Sequence, residues 1–322
     1  MGMLVDGIWD PDATGDSVDG DRFERSKAQI RNWITPDGSA GQTGKAGFGA
    51  ESGRYHLYVA WNCPWAHRTL LMRAVKGLQD HIGISILAPK RTEDGWVFDP
   101  QSGYFDALSG AAALHQIYAK GTTDYTGRVT VPVLWDTRTD TLVSNESAEI
   151  IRMLNSAFQD FAENPVDYYP RELQSDIDDW NAFIYPKLNN GVYRAGFARS
   201  QTAYDEAVTE VFEALDRIEN VLETRSWLTG ERITEADIRL FPTLARFDAA
   251  YWSAFKCNKR RLIDYPHLWA YARRFFALKG VADTVKLDIY RRGYHSKSEL
   301  RNPNGIVPLG PIVDFYEPLE AA

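Results

Sequence analysis

Cysteine is scarce in this sequence. Only Cys63 and Cys257 occur in 322 residues, too few and too far apart for a disulfide framework. No apolar run approaches the ~18 residues that a membrane span needs. The opening MGMLVDGIWDPD lacks the basic start and apolar stretch of a secretory leader. Met1-Gly2 begins like a myristoylation signal, but Asp6 stands where that signal requires Ser or Thr. Positive charge is short as well. A net charge of −8 argues against nucleic acid or an anionic membrane as partner. No Cys/His grouping has metal-ligand spacing, so no metal is expected. From these absences a cytoplasmic protein is expected.

What is present is ordinary for a soluble globular chain, with 44% hydrophobic and 25% charged residues and length enough for two domains. Ten Trp and sixteen Tyr supply core and candidate pocket material. Residues 1–53 read as an irregular arm, Gly-rich from Asp37 to Gly53. Its Trp9, Phe23, Trp33 and Phe48 favour wrapping over disorder. Arg54 to Ala60 alternates as a strand. Pro64 to Gly77 reads as a helix, with Pro in its first turn and Gly at its end, and His81 to Leu87 as a second strand. A helix is expected over Asp106 to Lys120. Strands are expected over Val129 to Asp136 and Thr141 to Asn145, then a helix over Ser144 to Asn155 with Asn145 as N-cap.

The order β-α-β, then β-β-α, is that of a thioredoxin-like domain, spanning residues 54–160. Strand signals then cease. Leu173 to Leu188, Tyr204 to Thr224, Thr234 to Ala250 and His267 to Leu278 read as amphipathic helices of an all-helical domain, residues 161–288. Thr234 and Asp237 form a capping box, with Ile233 and Ile238 as its staple. The text from about Leu287 reads as loop, and residues 289–322 as a C-terminal tail.

Within YVAWNCPWAHRTLL (Tyr58 to Leu71), Cys63 stands where a strand hands over to a helix. The helix dipole and the unpaired N–H groups there favour thiolate, the form that attacks sulfur. A dithiol site needs C-x-x-C so that a second thiol can release a mixed disulfide. Ala66 occupies that position, so an outside thiol must do the releasing, and glutathione is the abundant cytosolic candidate. Val131-Pro132 before a strand is expected to be cis, which would turn the Val131 backbone toward the peptide part of glutathione. Glu146-Ser147 opens the next helix and suits a zwitterion, with Glu146 accepting the ammonium and Ser147 and the helix N–H groups holding a carboxylate. Cys257 has no partner and reads as incidental. His67 reads as a surface or interdomain contact.

Four segments together are more specific than any one of them: CPWA (Cys63 to Ala66), RVTVPVLWD (Arg128 to Asp136), SNESAEI (Ser144 to Ile150) and NNGVYRAGFA (Asn189 to Ala198). With these the chain resembles the Xi-class glutathione transferases, the glutathionyl-hydroquinone reductases, over nearly its whole length. That resemblance implies a glutathione transferase fold, with arm and tail as extensions, and a homodimer. It implies Cys63 as nucleophile and glutathione contacts at Trp96, Arg128, Val131, Glu146 and Ser147. It further implies hydroquinone contacts at Tyr193, Tyr251 and Tyr294, with Tyr193 also catalytic. The family's HYYxSH reads Gly293-Tyr294-His295-Ser296-Lys297-Ser298 here, so Tyr294 has altered neighbours. The implied reaction is glutathione-dependent reduction of glutathionyl-hydroquinones through a Cys63–glutathione disulfide. An Omega-like thiol transferase or dehalogenase, and a non-catalytic ligand-binding module, are the alternatives.

Overall fold

The computed structural model describes residues 2–14 and 18–318. Two short hairpins open the chain, β1 (Met3–Val5) with β2 (Ile8–Asp10) and β3 (Val18–Asp19) with β4 (Arg22–Phe23). Then follow β5 (Tyr55–Val59), α1 (Pro64–Lys76), β6 (Ile82–Ile86), α2 (Leu114–Gly121), β7 (Val133–Asp136), β8 (Thr141–Ser144) and α3 (Ser147–Ser156). The rest is helical: α4 (Gln174–Ile184), α5 (Gly191–Phe197), α6 (Gln201–Leu222), α7 (Glu235–Arg246), α8 (Trp252–Ala254), α9 (Pro266–Phe276) and α10 (Leu287–Tyr294). The chain divides into two compact units, Met1–Ser17 with Arg25–Val166 and Val18–Glu24 with Asp167–Ala322.

The first unit is built on a four-stranded sheet of order β6-β5-β7-β8. β5 runs parallel to β6 and antiparallel to β7, which is antiparallel to β8. The parallel pair needs a crossover, and α1 supplies it. Pro64 starts α1 with a preset φ and no N–H to satisfy. Gly77 ends it at φ 68 in the left-handed region, donating to the Ala74 carbonyl. α1 and α3 pack together, and Leu57, Leu71, Val133, Val143 and Ile150 are fully buried, each contributing roughly 1.5–3 kcal/mol of burial.

The arm is laid along this sheet. Arg31 bridges Ser144 of β8, and the Asn32 N–H donates to the Val143 carbonyl at 2.8 Å, covering an edge that would otherwise be open to pairing. Trp33 and Phe48 are buried, and Trp9 stacks on His115 at 4.8 Å. Phe23 belongs to the second unit, where it stacks on Phe197 at 5.2 Å.

Several expected elements differ. The helix before β7 begins at Leu114 and not near Asp106. The Asp106 carboxylate accepts from the N–H groups of Leu108, Ser109 and Ala111 at 3.0–3.1 Å, a local turn that competes with helix. The strand expected from Val129 is β7, which begins at Val133, and the Val131-Pro132 peptide bond before it is cis as expected. α3 is capped by Glu146, whose carboxylate accepts the Ala148 N–H at 3.0 Å. Asn145 instead accepts from the Ile30 N–H in the arm and donates to the Tyr118 hydroxyl, both at 3.2 Å.

In the second unit the Thr234–Asp237 capping box forms as expected. α5 and α10 were not legible as helices. α5 follows the wide turn Tyr185–Asn189, which breaks the helical period after α4. α10 is short and has only Tyr290 fully buried, so it shows little apolar pattern. No helix among the described residues is long and apolar enough to cross a membrane.

Candidate functional site

In the first unit, Cys63 is the N-cap of α1, in an extended conformation (φ −83, ψ 119). Its thiol is half-buried, and Sγ lies 3.5 Å from the Val131 carbonyl oxygen. Pro64 places no N–H at the first helical position, and the His67 N–H returns to the Cys63 carbonyl at 3.0 Å. The backbone of the following turn therefore fixes where Sγ stands. Tyr118 supports the Val131 side, its hydroxyl donating to the Thr130 carbonyl at 2.9 Å. His67 is buried, which excludes the surface half of the expected surface or interdomain contact, because the face of α1 that carries it packs inward.

The start of α3 supplies a second local feature. The Glu146 N–H donates to the Ser144 hydroxyl at 3.1 Å, and its carboxylate closes the helix end. Ser147 is buried, and its hydroxyl oxygen lies 3.5 Å from an Arg68 guanidinium nitrogen. Arg68 is itself buried and stands over the Trp65 ring at 4.5 Å, where Arg25 also lies at 4.9 Å. The sequence reading missed Arg68. Its spacing from Cys63 along α1 was the available signal, weak because buried arginines are rare. Trp96 and Arg128 lie in the long segment between β6 and β7. The Trp96 ring faces Arg91 at 5.1 Å, and the Arg128 carbonyl accepts the Tyr125 hydroxyl at 3.0 Å.

In the second unit, Tyr193 (α5), Tyr251 (the wide turn Phe247–Tyr251) and Tyr294 (the end of α10) meet hydroxyl to hydroxyl. Tyr294 lies 2.5 Å from Tyr193 and 3.3 Å from Tyr251, oxygen to oxygen. Burial pushes the Tyr251 and Tyr294 hydroxyls well above their usual range, so both remain protonated donors. The altered neighbours of Tyr294 hold it in place. His295 Nδ1 donates to the Arg291 carbonyl at 2.8 Å, which leaves Nε2 to accept from the Ser253 hydroxyl at 2.8 Å. Phe197, one helical turn after Tyr193, stacks on it at an interplanar angle of 4°. That four-residue spacing could have flagged it.

Cys257 is fully buried, and burial pushes its thiol up to about 12, leaving it inert. Among the described residues no group of three His, Cys, Asp or Glu side chains could hold a metal ion.

A sheet with a cysteine at the cap of its crossover helix, followed by an all-helical unit, defines a glutathione transferase. The chain matches the glutathione S-transferase N-terminal domain over residues 62–157 and the C-terminal domain over residues 201–274. It is 49% identical to glutathionyl-hydroquinone reductase YqjG of Escherichia coli, over 99% of this chain and 98% of that one. The glutathione-bound structure of YqjG superposes with a TM-score of 0.90, covering 98% of both chains. Identity to glutathionyl-hydroquinone reductase PcpF of Sphingobium chlorophenolicum is 47%, over 97% and 96%. A Xi-class transferase from Natrialba magadii is 45% identical with a TM-score of 0.90, over 99% and 95%. The chain belongs to the Xi class of glutathione transferases, the family of the glutathionyl-hydroquinone reductases.

Proposed function

We propose that this protein reduces glutathionyl-hydroquinones to hydroquinones, with glutathione as co-substrate. The observation that carries the reading is the half-buried Cys63 thiol at the cap of α1, with Ala66 in place of a resolving cysteine. Such a thiolate can take a sulfur but cannot release it unaided. Cys63 attacks the sulfur of the adduct while the ring carbon keeps the bonding pair. The carbon must therefore already carry a proton, as in the ketone tautomer of the ring. Cleavage then releases an enolate that collapses to the phenol, and Cys63 holds glutathione as a mixed disulfide. A second glutathione attacks that disulfide, giving glutathione disulfide and free Cys63. The ring gains two electrons, one lost by the adduct's thioether sulfur and one by the thiol sulfur of the second glutathione.

Val131 is assigned to the peptide part of glutathione, and Glu146 and Ser147 to its charged end, with Arg68 adding positive charge beside Ser147. Trp96 and Arg128 are assigned to glutathione on resemblance alone. Tyr193, Tyr251 and Tyr294 are assigned to the ring oxygens. Their clustered hydroxyls suit an oxyanion that develops only as the carbon–sulfur bond breaks. The reading includes a homodimer in the reducing cytoplasm, checked for assembly by light scattering after size exclusion.

The test supplies a glutathionyl-hydroquinone with glutathione and follows both products. Hydroquinone and glutathione disulfide should appear in equal amounts. Conjugation of an electrophile without disulfide would overturn the reading.

A further inference from the structure

The arm supplies a charge that the glutathione assignment does not use. Residues 30–34 run along the corner between β8 and α3. The Asn145 N–H donates to the Ile30 carbonyl at 3.0 Å, and the Asn145 side-chain oxygen accepts the Ile30 N–H at 3.2 Å. The Asn32 N–H donates to the Val143 carbonyl at 2.8 Å, and the Ile34 N–H lies 3.0 Å from Met153 Sδ. Between these anchors Arg31 sends its guanidinium to Glu149 in the first turn of α3. Its Nε lies 3.0 Å from Glu149 Oε1, and a second guanidinium nitrogen meets the same oxygen.

Among the described residues the Glu149 carboxylate has no other partner. Glu149 is buried, and its Oε2 makes no hydrogen bond. A glutamate three positions after a helix cap ordinarily reaches back to the N–H of the cap. Here the Ser144 hydroxyl takes that N–H from Glu146. Glu146 in turn accepts the Ala148 N–H on its carboxylate and the Glu149 and Ile150 N–H groups on its carbonyl. The Ser147 N–H is left without an acceptor among the described residues. Ser147 faces Arg68 of α1 and Glu149 faces the arm, as two helical positions about 200° apart should. Arg31 also feels the charge of Glu146. The first turn of α3 thus carries two carboxylates, and Arg31 balances one of them.

We infer that Arg31 is a positioning residue: it holds the Glu149 carboxylate on the arm side of α3 and so keeps the helix start open to the carboxylate of glutathione. This rests on the assignment of Glu146 and Ser147 to the charged end of glutathione. Two carboxylates at one helix start repel each other and compete for the same N–H groups. Without Arg31, the stranded Glu149 carboxylate is drawn to the positive start of its own helix, where it opposes the carboxylate of the ligand. Arg31 therefore acts on glutathione through Glu149, without having to touch it.

The test is the affinity of the full chain for S-methylglutathione, a probe whose sulfur has no thiol to form a disulfide, measured by calorimetry. Arg31→Met should weaken binding about tenfold, the effect expected for one charge-assisted hydrogen bond. Arg31→Lys keeps the charge and should keep most of the affinity. Glu149→Met should bind at least as tightly as the unaltered protein. Arg31→Met combined with Glu149→Met should also bind normally, because no carboxylate is left to compete. An arm that merely braced the corner would leave that double variant as weak as Arg31→Met. Near-ultraviolet circular dichroism checks that each variant folds. Should Arg31→Met alone not fold, Glu149→Met against the double variant decides, equal affinities supporting the inference. Normal binding by Arg31→Met, or a double variant weaker than Glu149→Met, overturns it. An unaltered protein that does not bind S-methylglutathione overturns the glutathione assignment and this inference together. No turnover enters the measurement, so hydroquinone release stands or falls separately.

Discussion

The two units build their functional features by opposite means. In the sheet unit the features are helix ends and backbone: a cysteine as the cap of α1, a carbonyl 3.5 Å from its sulfur, and a glutamate capping α3. In the helical unit they are side-chain hydroxyls from three separate elements, Tyr193 and Tyr294 being 101 residues apart. The first kind is written in consecutive residues, and the second only in the tertiary fold. The units also differ in how they bury charge. The sheet unit holds the Arg54–Asp136 pair, bonded at 2.8 and 2.5 Å with both side chains buried. The helical unit holds Asp237 and Asp248, which meet hydrogen-bond donors but no buried cationic partner at contact distance among the described residues.

Substitutions can break or sharpen this contrast. The largest effect is expected from Cys63→Ser, which should abolish hydroquinone release; near-normal turnover would rule out covalent catalysis. Asp136→Ala strands a buried guanidinium and should cost about 3–5 kcal/mol, read as a lowered urea midpoint for the sheet unit. Tyr294→Phe removes one donor and should lower turnover by about 3 kcal/mol of barrier. It should leave Cys63 able to become glutathionylated, and joint loss of both would mean a structural role. Glu146→Ala should cost about 1 kcal/mol of helix capping and raise the KM for glutathione more than it lowers kcat.

The smallest effect is a difference in pH response. Asp237 and Asp248 are raised by burial from an ordinary value of 3.8 to about 6. The folded helical unit thus holds these protons more tightly than the unfolded chain. Its gain is complete below about 4 and lost as pH rises through 6. Asp106 and Asp136 of the sheet unit are lowered, Asp136 by Arg54 and Thr139 outweighing its burial. Their contribution is present above 3.8 and lost as pH falls through their folded values. Mild acid should therefore favour the helical unit relative to the sheet unit in hydrogen-exchange protection. Asp237→Asn with Asp248→Asn should flatten the helical unit's pH profile, and an unchanged profile would contradict the assignment.

The same contrast explains what was legible in the sequence. β5, α1, β6, β8 and the capping box at Thr234 could be read because period, cap and turn residues lie within a few positions of one another. The expected Asp106 helix failed because one carboxylate gathered three N–H groups into a turn. Asn145 looked like a cap, but the arm claimed its side chain, a contact 115 residues away in sequence. α10 escaped notice because its packing rests on one buried tyrosine and a histidine latch to Ser253. Cys63 and its missing partner at position 66 could be read from spacing alone. The three tyrosines came only through family resemblance, and Arg68 not at all.

The central claim is that sulfur passes to Cys63 before a second glutathione is needed. Mixing excess protein with a glutathionyl-hydroquinone, free glutathione excluded, tests it by mass spectrometry and product analysis in a single turnover. The account predicts one hydroquinone released per glutathione found on Cys63, with glutathione disulfide appearing only after glutathione is added. Hydroquinone that appears only once free glutathione is present, with Cys63 unmodified throughout, would contradict it.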